Sequence, residues 1–133
     1  MRIKIDPLDT LCSQYVRMRA IKLVGGCERC LCQKCDIVKD NGDVYPAWKR
    51  LQASHFISRS NRAVRYDPDN LVGLCFGCHQ YLGSHPLEHV EFFKSRLGDK
   101  FDLLLARSRM SSKDIDKAAL ELYLKDKIKD LEE

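Results

Sequence analysis

The sequence predicts a small α+β fold held together by a bound metal. Three observations carry that expectation: helix-period segments at both ends of the chain, short extended runs punctuated by turn signals between them, and cysteines that fall largely into C-x-x-C pairs. With 133 residues the chain can build one modest core, and it is short enough that a structural metal would add substantially to its stability.

The elements follow in order. Asp6-Pro7 supplies an N-cap and a first-turn proline, and Leu8, Leu11, Tyr15 and Met18 recur at helical spacing until Gly25-Gly26 stops the run; a helix over about 7–23 is expected. After the first cysteines comes KDNGDVYP, whose Asn-Gly is a turn signal, so a hairpin is expected here, with Trp48 to Phe56 as a strand. Asp69-Asn70 opens a short strand, LVGLC, that leads into the second cysteine pair. Pro86, Val90, Phe93, Leu97 and the stop at Gly98 mark another helix, and Asp99 is expected to cap a further one to Arg107. Ser111-Ser112 precedes a long charged helix with Leu120, Leu124, Ile128 and Leu131 on one stripe. The chain therefore divides into a domain over 1–110 and an amphipathic helix over 111–133. That helix could pair two copies into a homodimer or pack on its own domain, and self-packing is the favoured reading.

Composition narrows the function. The longest apolar runs, such as Leu103 to Ala106, are too short to cross a bilayer, which sets membrane function aside and leads us to expect a soluble protein. Seven cysteines could suggest a secreted disulfide scaffold, but the number is odd, no signal peptide is expected, and metal binding in a reducing cytoplasm fits the spacing better. The net charge of +4 is mild, yet unevenly spread: Leu11 to Asp67 holds eleven Lys/Arg against five Asp/Glu, whereas Ser111 to Glu133 holds five against seven. The basic excess lies with the half that carries most of the cysteines, which suits a nucleic-acid partner.

Zinc takes four tetrahedral thiolate or imidazole ligands, and two C-x-x-C pairs far apart in sequence can each supply two. Cys27/Cys30 with Cys75/Cys78 is such a set, and CERCLCQKC offers Cys32/Cys35 as an alternative first pair. Cys27/Cys30 is favoured because it directly follows the Gly25-Gly26 stop; the extra pair would then be free thiols or hold a second metal. Cys12, on the helix face, is expected to be buried packing.

The stretch SHFISRSNRAVRYDPDNLVGLCFGCH brings together His55, Asn70 and His79. Phosphodiester hydrolysis needs a base to activate water, a cation for the charge building on phosphate, and something to hold the base. His55 could be the base, Asn70 could hold its imidazole through its amide or a backbone contact, and His79 could ligate magnesium or manganese, or a softer ion such as zinc or nickel if imidazole dominates. The order His, Asn fifteen residues later, and His nine residues after that beside C-x-x-C resembles the HNH nuclease motif, whose fold is a ββα unit clasping a metal. The likeness extends outward: DTLCSQYVRMRA, GGCERC, LQASHFISRSNRAVRYDPDN and GLCFGCHQYLGSHP together resemble the phage lambda-type NinG (Rap) recombination nucleases over about residues 8–98.

That resemblance implies a zinc-stabilised HNH core flanked by helices, with His55 as general base, Asn70 as its orienting partner, His79 as catalytic-metal ligand and the cysteine pairs on a structural zinc. It further implies a metal-dependent DNA endonuclease, magnesium or manganese being the expected catalytic ion, that acts on branched recombination intermediates in a bacterial host's cytoplasm. The alternatives are a nicking or packaging-associated HNH endonuclease, a non-catalytic zinc-stabilised DNA-binding module, and a structural zinc protein. Two positions depart from the usual patterns. Many HNH sites place a second ligand, Asp or His, before the base, where this chain has Ser54, and NinG proteins often have Asn where it has His79. His85 and His89 could fill the coordination sphere, although solvated helix-start residues describe them better. Arg59, Arg62 and Arg65, just past His55, are expected to bind phosphate, with Lys49 and Arg50 as weaker seconds. Nothing offers a base-reading helix, so recognition of DNA shape is expected.

Overall fold

The computed structural model describes residues 3–133, with Asp114 described by its backbone alone. The first helix, α1 (Pro7–Val24), starts where the sequence places it: the Asp6 carboxylate accepts the Asp9 N–H, the Asp9 carboxylate accepts the Asp6 N–H, and Pro7 fills the first position. It ends at Gly25, whose left-handed φ of 75° lets its N–H reach the Ile21 carbonyl. Strands β1 (Ile37–Val38) and β2 (Val44–Tyr45) then form an antiparallel ribbon around Asn41-Gly42.

A second antiparallel pair is central to the molecule. Strands β3 (Gln52–His55) and β4 (Leu71–Leu74) register Ala53 opposite Gly73 and His55 opposite Leu71. Helix α2 (Phe76–Gly83) follows at once, then α3 (Pro86–Leu97), α4 (Lys100–Ser108) and α5 (Lys117–Glu132). Helix α1 lies so close to β4 that a Cβ at Gly73 would stand 2.7 Å from the Ala20 Cβ, which is why glycine occupies a strand interior. The larger core cluster joins Val72 and Leu74 of β4 to Leu82, Phe93 and Leu104, and a second joins Leu8, Cys12 and Val16 of α1 to Tyr66, Leu71 and Leu124.

The α+β expectation and the run of helices agree with this architecture, and three local expectations do not. Trp48 to Phe56 is not one strand, because Ala47–Arg50 forms a 3₁₀ turn. Pro46 fixes the entry to that turn and the Asp36 carboxylate accepts the Ala47 N–H at 2.7 Å. Asp99 stands before α4 but its side chain makes no cap bond. The C-terminal helix begins later than residue 111: Ser111 caps a 3₁₀ turn at Ser112–Asp114, and α5 starts at Lys117 behind its cap Asp116, which accepts the Ala119 N–H. Helix α5 packs along α1 with Leu124 and Ile128 buried, as expected of a self-packing tail. No described helix is long and apolar enough to cross a membrane.

Candidate metal centre and histidine cavity

The cysteines come together because each pair sits where the backbone turns sharply. Past α1 the Cys27 N–H donates to the Cys32 carbonyl and the Leu31 N–H to the Cys27 carbonyl, with Leu31 at a φ of 61°. Gly26 permits this closure, since a Cβ there would stand 1.9 Å from the Cys32 carbonyl oxygen. Cys75 is the N-cap of α2, and its sulfur accepts the Cys78 N–H at 3.5 Å. The four sulfurs of Cys27, Cys30, Cys75 and Cys78 all lie within 4.8 Å of one another, and Cys30 Sγ stands 3.8 Å from Cys75 Sγ. Two thiolates at a zinc–sulfur distance of about 2.3 Å and a tetrahedral angle are also about 3.8 Å apart. The donor set and its spacing fit a structural metal such as zinc.

The surroundings favour thiolates at the outer edge of the cluster. The Cys32 N–H holds the Cys30 thiol below its ordinary value. Burial pushes the Cys78 thiol up to about 12, and the Arg29 guanidinium, 3.5 Å from that sulfur, opposes it. A bound metal would act in the same direction as Arg29. Glu28, between the first two cysteines, ties this turn to its neighbours: it accepts the Gly73 N–H at 2.7 Å and pairs with Arg96 of α3 at 2.8 Å. The alternative first pair is not used as a pair. Cys35 is exposed and lies beside Arg50, outside the cluster.

His55 and His79 line one cavity of about 590 Å³, together with Asp9, Ser13, Arg17 and Arg59. Each ring is fixed at one nitrogen. A carbonyl can only accept, so the 2.9 Å contact between His55 Nε2 and the Arg65 carbonyl oxygen makes Nε2 the donor and leaves Nδ1 with a free lone pair. His79 Nδ1 donates to Gln52 Oε1 at 2.5 Å, which leaves its Nε2 free. Burial holds the His55 imidazole below its ordinary value, with the Arg65 carbonyl opposing that shift and the Arg59 charge adding to it. Ser54 cannot serve the cavity as a ligand. It is buried and pairs with core residue Val72, on the strand face opposite His55.

Asn70 does not hold the His55 ring. Its amide is fully buried and stitches a loop: Oδ1 accepts the Ile57 N–H at 2.8 Å, and Nδ2 donates to the Ile57 and Val64 carbonyls at 2.9 and 3.1 Å. Its backbone carbonyl accepts the Phe56 N–H. Asn70 therefore acts on His55 only through the loop that ends at Arg65. Asn70→Ala strands one donor and two acceptors in the interior, and a loss of about 3 kcal/mol is expected in urea unfolding. A cost under about 0.5 kcal/mol, the range of an ordinary surface change, would show that the loop does not need these bonds.

The arginines divide. Arg65 also lines the cavity, but its guanidinium is engaged within the fold: it grips Asp9 with two hydrogen bonds of 3.0 and 2.5 Å and donates to the Lys4 carbonyl at 2.7 Å. Burial acts to raise the Asp9 carboxyl, but the bonds from Arg65 and Asp6 outweigh it and the net shift is downward. The pair's stabilisation is therefore present above the ordinary carboxylate range and is lost on acidification. Arg59 lines the cavity, whereas exposed Arg62 borders a separate groove with Lys117. Lys49 is exposed above the Trp48 and Tyr45 rings, and Arg50 donates to the Cys35 carbonyl. His85 is exposed and stacked on Tyr81. His89 is not solvated as expected, since its ring packs against Phe56 and Phe93 and its buried Nε2 finds no partner among the described residues.

Sequence reasoning missed Arg17 and Gln52. Arg17 enters the cavity from α1, its guanidinium 4.8 Å from the Trp48 ring and its Nε bonded to the Ser13 carbonyl. The signal was available. Asp9, Ser13 and Arg17 recur every four residues, a polar stripe on an otherwise core-facing helix, and all three line the cavity. The molecule is thus an α+β protein with a tetracysteine cluster beside a two-histidine cavity. The chain matches no family model, no curated protein and no solved structure.

Proposed function

We propose that this protein is a metal-dependent DNA endonuclease of the HNH type, built on the β3, β4 and α2 segment. The observation that carries the reading is the shared cavity in which His55 and His79 are each pinned at one ring nitrogen and free at the other. His55 Nδ1 takes a proton from water. A cation held by His79, magnesium or manganese, would supply positive charge to the phosphate as the water attacks. Arg17 and Arg59 bind the phosphate flanking the bond to be cut. The likeness to NinG nucleases directs the substrate expectation to branched recombination intermediates.

A second reading, a DNA-binding module without catalysis, is favoured by the burial of Ser54, which leaves His79 without the usual partner ligand. One experiment separates them. Protein purified with its zinc and freed of other divalent ions is given magnesium, manganese or nickel, and cutting of a labelled four-way junction is compared with that of matching duplex. Metal-dependent cutting supports the nuclease and junction preference the recombination role; DNA binding without cutting in any metal leaves the binding module.

The two kinds of arginine give an independent check. Arg17→Ala is expected to weaken DNA binding and to lower the slope of log affinity against log salt by about 0.9, the loss of one phosphate contact. Arg65→Ala is expected to lower stability and leave the slope unchanged. Fluorescence anisotropy over a potassium chloride series reads both, and equal slopes for wild type and Arg17→Ala would remove Arg17 from the interface.

A further inference from the structure

Arg65 separates two hollows. On one side is the histidine cavity, which it lines together with Arg17 and Arg59. On the other is a groove of about 340 Å³ bordered by Asp6, Arg62, Arg65, Tyr66, Ser112 and Lys117. The two hollows therefore meet at one side chain, whose own charge is engaged by Asp9. Segments distant in sequence build the groove: the loop after β3 brings Arg62, the 3₁₀ turn before α5 brings Ser112, and α5 itself brings Lys117.

The groove holds positive charge that the fold does not use. Arg62 and Lys117 are exposed, and neither forms an ion pair among the described residues. The Asp6 carboxylate that borders them is already engaged, accepting the Tyr66 hydroxyl and the Asp9 N–H. A cation–π contact places Lys117, whose ammonium stands 5.8 Å from the centre of the Tyr66 ring, while the Arg65 guanidinium lies 5.4 Å from the same ring. Lys117 does not serve its helix either, because it opens α5, where the positive end of the helix dipole disfavours a cation.

We propose that this groove is a second phosphate subsite: a DNA strand whose scissile phosphate lies in the histidine cavity continues across the Arg65–Asp9 clasp and sets a further phosphate on Arg62, Lys117 and the Ser112 hydroxyl. The inference rests on the DNA reading of the cavity, though not on catalysis. It gives the C-terminal helix a part in substrate binding, since the packing of Leu124 and Ile128 that holds α5 along α1 also carries Lys117 to the groove. Two cations and a hydroxyl recognise the backbone and not base edges, so the groove adds affinity and sets the path of the strand without adding sequence preference.

The test titrates the full chain, loaded with zinc and freed of other divalent ions, into a fluorescent DNA duplex over a potassium chloride series. Wild type is compared with Arg62→Ala, with Lys117→Ala and with Lys129→Ala, which removes the same charge from the exposed last turn of α5. Arg62→Ala and Lys117→Ala are each expected to lower the slope of log affinity against log salt by about 0.9, one phosphate contact, while Lys129→Ala leaves it unchanged. A wild-type slope in either groove variant overturns the subsite and leaves DNA binding at the cavity intact. An equal drop in Lys117→Ala and Lys129→Ala also overturns it, because charge would then act without contact. If wild type itself shows no salt-dependent affinity, the DNA reading falls and the groove with it.

Discussion

Cys27→Ser is expected to abolish cooperative unfolding at ordinary temperature, and a strong zinc chelator to do the same to the wild-type protein. Cys27 is completely buried, and it belongs to the larger core cluster with Cys78, Leu74 and Leu82. The metal would join the turn after α1 to the start of α2, two segments separated by about fifty residues that are otherwise connected here by the short contacts of Glu28 and Arg29. Structural zinc contributes an apparent 10–16 kcal/mol or so in small metal-dependent domains at neutral pH. Total stability of an ordinary domain is only about 5–15 kcal/mol, so removing such a ligand exceeds any reserve. Circular dichroism melts with a parallel zinc determination read the outcome. Cys35→Ser is the control and should change stability by less than about 0.5 kcal/mol, because its thiol is exposed and outside the cluster. A Cys27→Ser chain that melts like wild type would show that the cluster holds no structural metal.

The second large effect concerns chemistry. His55→Ala is expected to slow DNA cleavage by about 10²–10⁴-fold, the usual contribution of a positioned general base, while DNA affinity stays within about twofold. The pH dependence gives the sign. His55 acts as a base only when neutral, and burial, the largest influence on it, lowers its proton affinity. Activity should therefore persist as pH falls below the ordinary histidine value near 6.5 and decline only lower, as Nδ1 becomes protonated. An acid limb above that value, or a variant that cuts at the wild-type rate, would remove His55 from the role of base.

Much of this was legible in the sequence because the features are local or carried by residue type. The α1 cap, the two glycines at its end, the Asn-Gly turn and the C-x-x-C spacing each specify a conformation within a few residues. His55 and His79, two of the three residues in that order, do line the cavity, but Asn70's role was not readable, because all its partners are backbone atoms of a loop whose path is set only on folding. Arg65's tie to the fold was hidden for a related reason: its carboxylate partner lies fifty-six residues upstream. Helix α2 was implied by the HNH resemblance but not by the residue pattern, since Phe76, Gly77 and exposed Gly83 make a poor helix in isolation, and Cys75 at its cap with Cys78 in its first turn supplies what that pattern lacks.

Arg65 is held at two ends. Its guanidinium clasps Asp9 in the first turn of α1 and the Lys4 carbonyl ahead of it, while its own carbonyl receives the His55 proton. The tautomer that frees His55 Nδ1 is thus set by a single peptide group whose position is anchored to the start of the chain. No described residue of the N-terminal segment bonds to the imidazole, yet the segment keeps the proposed base aimed, so any event that lifts the first turn of α1 would blunt the base while leaving every cysteine and both histidines in place.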